Sequence, residues 1–175
     1  TDDKTWRLTG FAFCNLTEVN CALNMTEEKF YEAVKAATVI GTAQAAYTNF
    51  PYLTWVSKAI ADRDALIGVS LTGMCDCPEI AFNEEILRKA AQLVCDTNKA
   101  VASLIGVNVA ARATCIKPSG TASLALGCVG SGIHAHHAKR YFRRVTANPM
   151  EPIAQFFKKY NPHAVDVKPN GDWSL

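Results

Sequence analysis

The residues whose types and spacing promise chemistry are Ile116-Lys117-Pro118-Ser119-Gly120-Thr121-Ala122-Ser123. An apolar run over residues 109–116 leads into a proline and then a small, hydroxyl-rich turn. Ala122-Ser123-Leu124-Ala125-Leu126 follows, with the composition of a short helix. A strand feeding a tight turn at a helix N-terminus gathers unpaired backbone N–H groups at the positive end of the helix dipole. Such a place receives anions, and the Ser119, Thr121 and Ser123 hydroxyls add donors without bulk. Gly120 admits a ligand close to the backbone. The same residue types also cap an ordinary strand-to-helix loop. The nucleotide P-loop pattern does not apply, because no Lys-Ser/Thr pair follows the glycine.

The other reactive side chains read more plainly. Seven cysteines stand at irregular spacing without the C-x-x-C pairs of a zinc ribbon. They read as mostly free thiols in a reducing cytoplasm, so any cysteine with a role here acts through redox chemistry. Cys75 and Cys77 are a poor disulfide pair, since bridging such near neighbours strains the backbone. His134, His136 and His137 form a cluster, but the adjacent pair points apart on a strand. No carboxylate or thiol stands at ligand spacing in the sequence, so no metal site is expected. Lys139, Arg140, Arg143 and Arg144 read as a solvated face. The net charge is only +2 and no aromatic platform accompanies the run, which argues against a nucleic-acid polymer as partner.

The elements that must position these residues come next. At 175 residues, 49% hydrophobic and 19% charged, the chain has the makings of a real core. It has no apolar run of membrane-spanning length and no signal-peptide pattern. It begins at Thr1 in a polar stretch, and Asn170-Gly171-Asp172-Trp173-Ser174-Leu175 adds no closing element. With no linker or repeat inside, residues 1–175 read as one continuous segment of something larger.

Residues 6–13 are aromatic-rich and strand-like, leading to Cys14-Asn15-Leu16-Thr17-Glu18-Val19-Asn20. Thr26 is a good N-cap with Glu27 and Glu28 in the first turn. The helix it opens carries Phe30, Val34, Ala37, Gly41 and Ala45 on one stripe and runs to about residue 48. Residues 54–64 form a shorter helix, and residues 65–71 are an apolar run suited to a strand buried on both faces. Residues 84–105 are the clearest helix. Its predicted buried face is Ile86, Ala90, Leu93, Val94, Thr97, Val101 and Leu104, and Gly106 ends it. Residues 141–146 are a candidate strand and 152–160 a final helix. Long helices between buried strands predict an α/β fold with largely parallel pairing.

Four stretches carry a family resemblance: Cys14 to Asn20, Gly68-Val69-Ser70-Leu71-Thr72-Gly73-Met74, Lys117 to Ser123, and Gly132-Ile133-His134-Ala135-His136-His137-Ala138-Lys139-Arg140-Tyr141-Phe142-Arg143-Arg144. In this order and at these intervals they resemble the catalytic chain of ribonucleotide reductases. The resemblance covers roughly residues 11–165 and is nearest to the adenosylcobalamin-dependent (class II) branch. It implies part of the second half of a ten-stranded α/β barrel with a central finger loop.

The resemblance also implies roles. The turn Pro118, Ser119, Gly120, Thr121, Ala122 and Ser123 holds the phosphates of a ribonucleotide substrate. Cys14 is one of two cysteines that reduce the ribose and finish as a disulfide, and Asn15 either orients that thiol or holds a turn. The complete enzyme would use adenosylcobalamin and a thioredoxin-type reductant. The family's radical cysteine sits in Asn-x-Cys-x-Glu, which this sequence lacks. That motif, the second reducing cysteine, the effector site and most cobalamin contacts are expected upstream. The chain by itself is expected to be inactive, with the remaining segments of the same reductase as its partners. A class I-type chain served by a separate radical-generating subunit, and a non-catalytic fragment that only completes a partner's barrel, are the alternative readings.

Overall fold

Thr26 opens the first long helix, its Oγ1 accepting the Lys29 N–H at 3.3 Å, with Glu27 and Glu28 favouring the dipole. In the computed structural model, which describes residues 9–22, 25–128, 130–138 and 140–175, this helix is α1, Glu27–Ala45. Part of the strand expected over residues 6–13, together with Asn24 and Lys139, lies outside the described residues. Residues 9–14 have no regular structure, and strand β1 runs instead over Asn15–Asn20. Helix α2, Trp55–Asp64, ends at Ala65, whose φ of 40° is left-handed and whose N–H returns to the Ala61 carbonyl. Strand β2 therefore begins at Ile67 rather than residue 65, and continues to Thr72.

β1 and β2 pair in parallel, from Asn15 opposite Ile67 to Asn20 opposite Thr72. On the other edge of β2, residues 112–117 run alongside it. Val69 bridges Thr114 in parallel, Val69 N–H donates to the Ala113 carbonyl at 2.9 Å, and Cys115 N–H donates to the Val69 carbonyl at 3.1 Å. Parallel neighbours need long crossovers. α1 and α2 supply the first, and α4, Glu84–Ile105, lies within the second after the short helix α3, Pro78–Ala81.

One face of this sheet carries the core. Val19, Ile67 and Val69 are buried with Phe30, Val34 and Ala37 of α1 and Ile86, Ala90 and Val94 of α4. The predicted α1 stripe is buried throughout. On α4 the stripe runs Ile86, Ala90, Val94, Asn98, Ala102, in steps of four, and Leu104 is 84% exposed. The sequence reading overlooked Asn98 because it is polar. It is buried because it is fully paired: its Nδ2 donates to Thr42 Oγ1 at 2.9 Å, and its Oδ1 accepts the Ala110 N–H at 2.9 Å.

The described residues fall into two compact units, dividing after His136. The first also holds α5, Thr121–Ala125. In the second, β3 (Thr146–Ala147) and β4 (Asp166–Val167) flank β5 (Trp173–Ser174), both antiparallel to it. Helix α6, Pro152–Tyr160, joins them around Ala147, Ala154 and Trp173. The strand expected over 141–146 reaches its ladder only at Thr146. Among the described residues no helix is long and apolar enough to cross a membrane.

Two outcomes follow from this core. Asn98→Ala leaves the Ala110 N–H without its acceptor, while the Thr42 hydroxyl keeps its bond to the Thr38 carbonyl, so urea unfolding should show a loss of about 1–3 kcal/mol. Cys21 is fully buried near Cys77, Cys128 and Asp76, and burial first, then these neighbours, push its thiol up to about 12. A raised folded-state value stabilises the fold below the ordinary thiol range, and that contribution is lost as pH climbs through the folded value. Unfolding midpoints should therefore fall between pH 9.0 and about 12, and Cys21→Ala should flatten that slope.

Candidate functional site at the Pro118–Ser123 turn

Side chains alternate along a strand, so the residues between those that face the helices project from the opposite side of the sheet. These are Leu16, Glu18 and Asn20 of β1, Gly68, Ser70 and Thr72 of β2, and Cys115 and Lys117 beside them, with Cys14 at the lead-in to β1. Against this polar face stands the turn. Gly120 has φ 55° and ψ −127°, a conformation open to glycine, and no atom lies within 4 Å of where its Cβ would be. Pro118, Gly120, Thr121 and Ala122 are exposed, whereas Ser119 and Ser123 are buried.

The two buried hydroxyls have protein acceptors. Ser119 Oγ donates to Glu18 Oε2 at 2.6 Å, and Ser123 Oγ donates to the Gly120 carbonyl at 2.7 Å. Lys117 Nζ pairs with the other oxygen of Glu18, whose side chain is only 9% exposed. The turn thus rests on one buried carboxylate that uses both oxygens. The exposed hydroxyl left to face a ligand is that of Thr121. The sequence reading missed Glu18, which is far away in the chain. The one available signal was its alternation in step with Cys14 in a quoted stretch.

Further bonds hold the turn from behind. Ser70 Oγ accepts the Lys117 N–H at 2.9 Å, and Thr72 Oγ1 accepts the Gly132 N–H at 3.0 Å. Gly132 has φ 59°, and a Cβ there would sit 3.0 Å from the Lys117 carbonyl oxygen, so the loop seats against the turn through a glycine. Gly120 N–H donates to Ser131 Oγ at 3.0 Å, and Asn20 Nδ2 donates to the Leu126 carbonyl at 2.7 Å. The first three quoted stretches and the start of the fourth, Gly132 to His136, therefore meet at one place.

Asp76 corrects one detail of the sequence reading. No carboxylate stands near the histidines in sequence, yet Asp76 Oδ1 lies 2.5 Å from His136 Nε2 and also accepts the Gly130 N–H. Among the described residues no group of three or more His, Cys, Asp or Glu side chains could hold a metal ion.

Cys14 is exposed at the start of the same face. The Asn15 side chain donates to the Leu66 carbonyl at 3.0 Å, doubling the backbone bond from Asn15 to that oxygen and fixing where β1 begins. A cavity of about 210 Å³ opens beside them, between Phe13, Tyr47, Phe50 and Leu66. Cys14 and Cys115 both approach Gly68, their sulfurs 3.0 and 2.7 Å from the point a Cβ would occupy. Burial pushes both thiols above the ordinary range. For Cys115, nearby Cys14 adds to the rise and Lys117 opposes it.

Comparison with known proteins adds the sequence context. Over 179 residues the chain is 27% identical to the adenosylcobalamin-dependent ribonucleoside-triphosphate reductase of Lactobacillus acidophilus, covering 86% of this chain and 24% of that protein. It is similar to the adenosylcobalamin-dependent reductases. The protein of the same name from Lactobacillus gasseri is 22% identical over 192 residues, covering 89% of this chain and 25% of the relative. The chain spans about a quarter of the length of these curated reductases, and the resemblance drawn from the four stretches is to the same proteins. No family model matches the chain, and no solved structure does.

The raised thiol of Cys14 has a measurable consequence. A thiol reacts as its thiolate, so alkylation of Cys14 by iodoacetamide should be slower than that of free cysteine near neutral pH. Its rate should keep rising at pH values where the free thiol has levelled off. Peptide mass spectrometry of timed samples gives both curves, and superimposable profiles would contradict the burial effect.

Proposed function

We propose that this chain is a segment of a ribonucleotide reductase, one that converts ribonucleoside triphosphates to deoxyribonucleotides by thiyl-radical chemistry. The observation that carries the reading is the convergence of the reductase-like stretches on one polar sheet face, with the turn at the strand ends and Cys14 at their start. Ligands of open α/β sheets bind outside the carboxyl ends of the strands. The turn follows residues 112–117 at that end, which supports Pro118 to Ser123 as the place of the substrate phosphates.

In this reading the chain's own residues divide the work. Exposed backbone around Gly120 and the Thr121 hydroxyl meet the phosphates. Glu18 holds Ser119 and Lys117 so that the turn keeps its shape before substrate arrives. Because Lys117 is already paired, anion attraction rests more on backbone dipoles than on a free cation. Cys14 supplies reducing equivalents and is restored by a thioredoxin-type dithiol. Asn15 fixes the strand start that presents it.

Adenosylcobalamin would supply the radical in the complete enzyme. By the resemblance, most of its contacts belong to the upstream segments. The segment would form part of the second half of the ten-stranded barrel. Among the described residues, β1 and 112–117 each have only β2 as a strand neighbour. An apolar groove of about 220 Å³, lined by Val69, Leu71, Thr114 and Ile116 together with Phe30 and Val94, is suited to further elements of the same barrel. The seven free thiols suit a reducing cytoplasm. Without Asn-x-Cys-x-Glu the chain alone would be inactive.

Reconstitution tests the reading. The chain alone should form no deoxyribonucleotide, and addition of the upstream and downstream reductase segments with adenosylcobalamin should give turnover. In that assembly Cys14→Ser should abolish sustained turnover with a dithiol reductant while substrate binding survives, because serine keeps the size but forms no disulfide. Undiminished turnover by the variant would show that another residue does this work.

A further inference from the structure

Of the three histidines in the fourth quoted stretch, one is tied to a buried carboxylate. The single 3₁₀ turn Met74–Asp76 leaves β2 at Gly73, whose φ of 68° folds the chain back. A Cβ at Gly73 would lie 3.0 Å from Asp76 Oδ2, so the carboxylate packs over a residue without a side chain. Its side chain is only 8% exposed, and it faces the two ends of the loop 130–136. Asp76 Oδ1 accepts the Gly130 N–H at 3.2 Å and lies 2.5 Å from His136 Nε2. The ends also touch each other, since a Cβ at Gly130 would lie 3.5 Å from His136 Nε2. The middle of the loop meets the phosphate-type turn. Ser131 Oγ accepts the Gly120 N–H, and the point a Gly132 Cβ would occupy is 3.0 Å from the Lys117 carbonyl oxygen and 3.4 Å from Ser119 N. Gly132 is bound on both sides, its N–H to Thr72 Oγ1 and its carbonyl by the Met74 N–H at 3.2 Å.

We propose that Asp76 and His136 are a positioning pair that clasps the loop 130–136 against the Pro118–Ser123 turn and so sets the turn's grip on the substrate phosphates. The pair itself touches no ligand. It acts through Ser131, which holds the backbone at Gly120, and through Gly132, which backs the Lys117 carbonyl. A hydrogen bond to a carboxylate sheltered from water is stronger than one between neutral groups. A loop held in place beforehand also spares substrate binding the entropy of ordering it. The imidazole is the part of the clasp that can be removed without touching the turn, because its side chain is 32% exposed and makes its bond to Asp76 from outside. The effect on phosphates rests on the reductase reading, whereas the clasp rests on the loop geometry alone.

The test begins with amide hydrogen exchange on the whole 175-residue chain. His136→Ala should speed exchange of the Gly132 and Met74 amides about tenfold, the scale of one hydrogen bond to a charged group. The Val69 and Cys115 amides, bonded within the sheet, should exchange as in the parent. His136→Gln keeps a donor near the place of Nε2 and should restore most of the protection. Unchanged exchange at Gly132 and Met74, or an equal rise at Val69 and Cys115, would overturn the clasp. A glutamine variant that behaves like the alanine one would overturn the hydrogen bond as its cause. In the reconstituted assembly His136→Ala should raise KM for the ribonucleoside triphosphate about tenfold with kcat unchanged, because the turn holds a part of the substrate that does not react. An unaltered KM, or a fall in kcat alone, would overturn the positioning role. A parent assembly that makes no deoxyribonucleotide counts against the reductase reading, and the exchange result still decides the clasp.

Discussion

The central position of β2 is the constraint on which the rest of the first unit depends. A strand with parallel neighbours on both edges and packing on both faces must have its ladder bonds made and its side chains accommodated twice over. On one face Ile67 and Val69 enter the core with α1 and α4. On the other, small residues leave room: Gly68 for two sulfurs, Ser70 for the Lys117 N–H, Thr72 for the Gly132 N–H. Because β2 is buried and tied on every side, the segments on its two edges hold a set spacing. The distance between the Cys14 lead-in and the Pro118–Ser123 turn is then a property of the sheet.

The polar face avoids the usual penalty of burial by pairing. Glu18 would be costly as an isolated buried carboxylate, but both its oxygens have donors. The same pairing leaves Lys117 and Ser119 unable to greet a ligand unless Glu18 releases them. The turn is therefore pre-shaped and nearly neutral. In the proposed function that arrangement makes backbone groups, rather than long-range attraction, the means of recognition, in keeping with a chain whose formal charge is only +2.

The thiols divide by the same logic. Cys21, Cys77 and Cys128 are buried and burial pushes each thiol up, with Cys77 donating to Glu79 Oε1 and Cys128 to Asn20 Oδ1. Cys14 and Cys115 sit where solvent or a ligand reaches them. Burial raises both thiols above the ordinary range.

Local patterns in the sequence determined the elements whose signals are local. The Thr26 cap and the stripe from Phe30 to Ala45 specify α1, Gly106 ends α4, and the Lys117–Ser123 composition marks a turn into a short helix. The strand expected before that turn is only a bridge at Thr114 beside β2. Resemblance carried in short stretches pointed to the reductases. Tertiary structure alone decided the rest, because the deciding partners lie far apart in the chain. Asn98 is buried only because Thr42 and Ala110 meet it, and β2 starts late because Ala65 is needed to close α2. Asp76 reaches His136 across 60 positions, Glu18 reaches Ser119 across 101, and Cys115 meets Cys14 over a glycine in a third segment. Periodicity announces which face a residue is on. Which residue stands opposite it depends on the order and register of the strands, and those follow from packing the whole sheet at once.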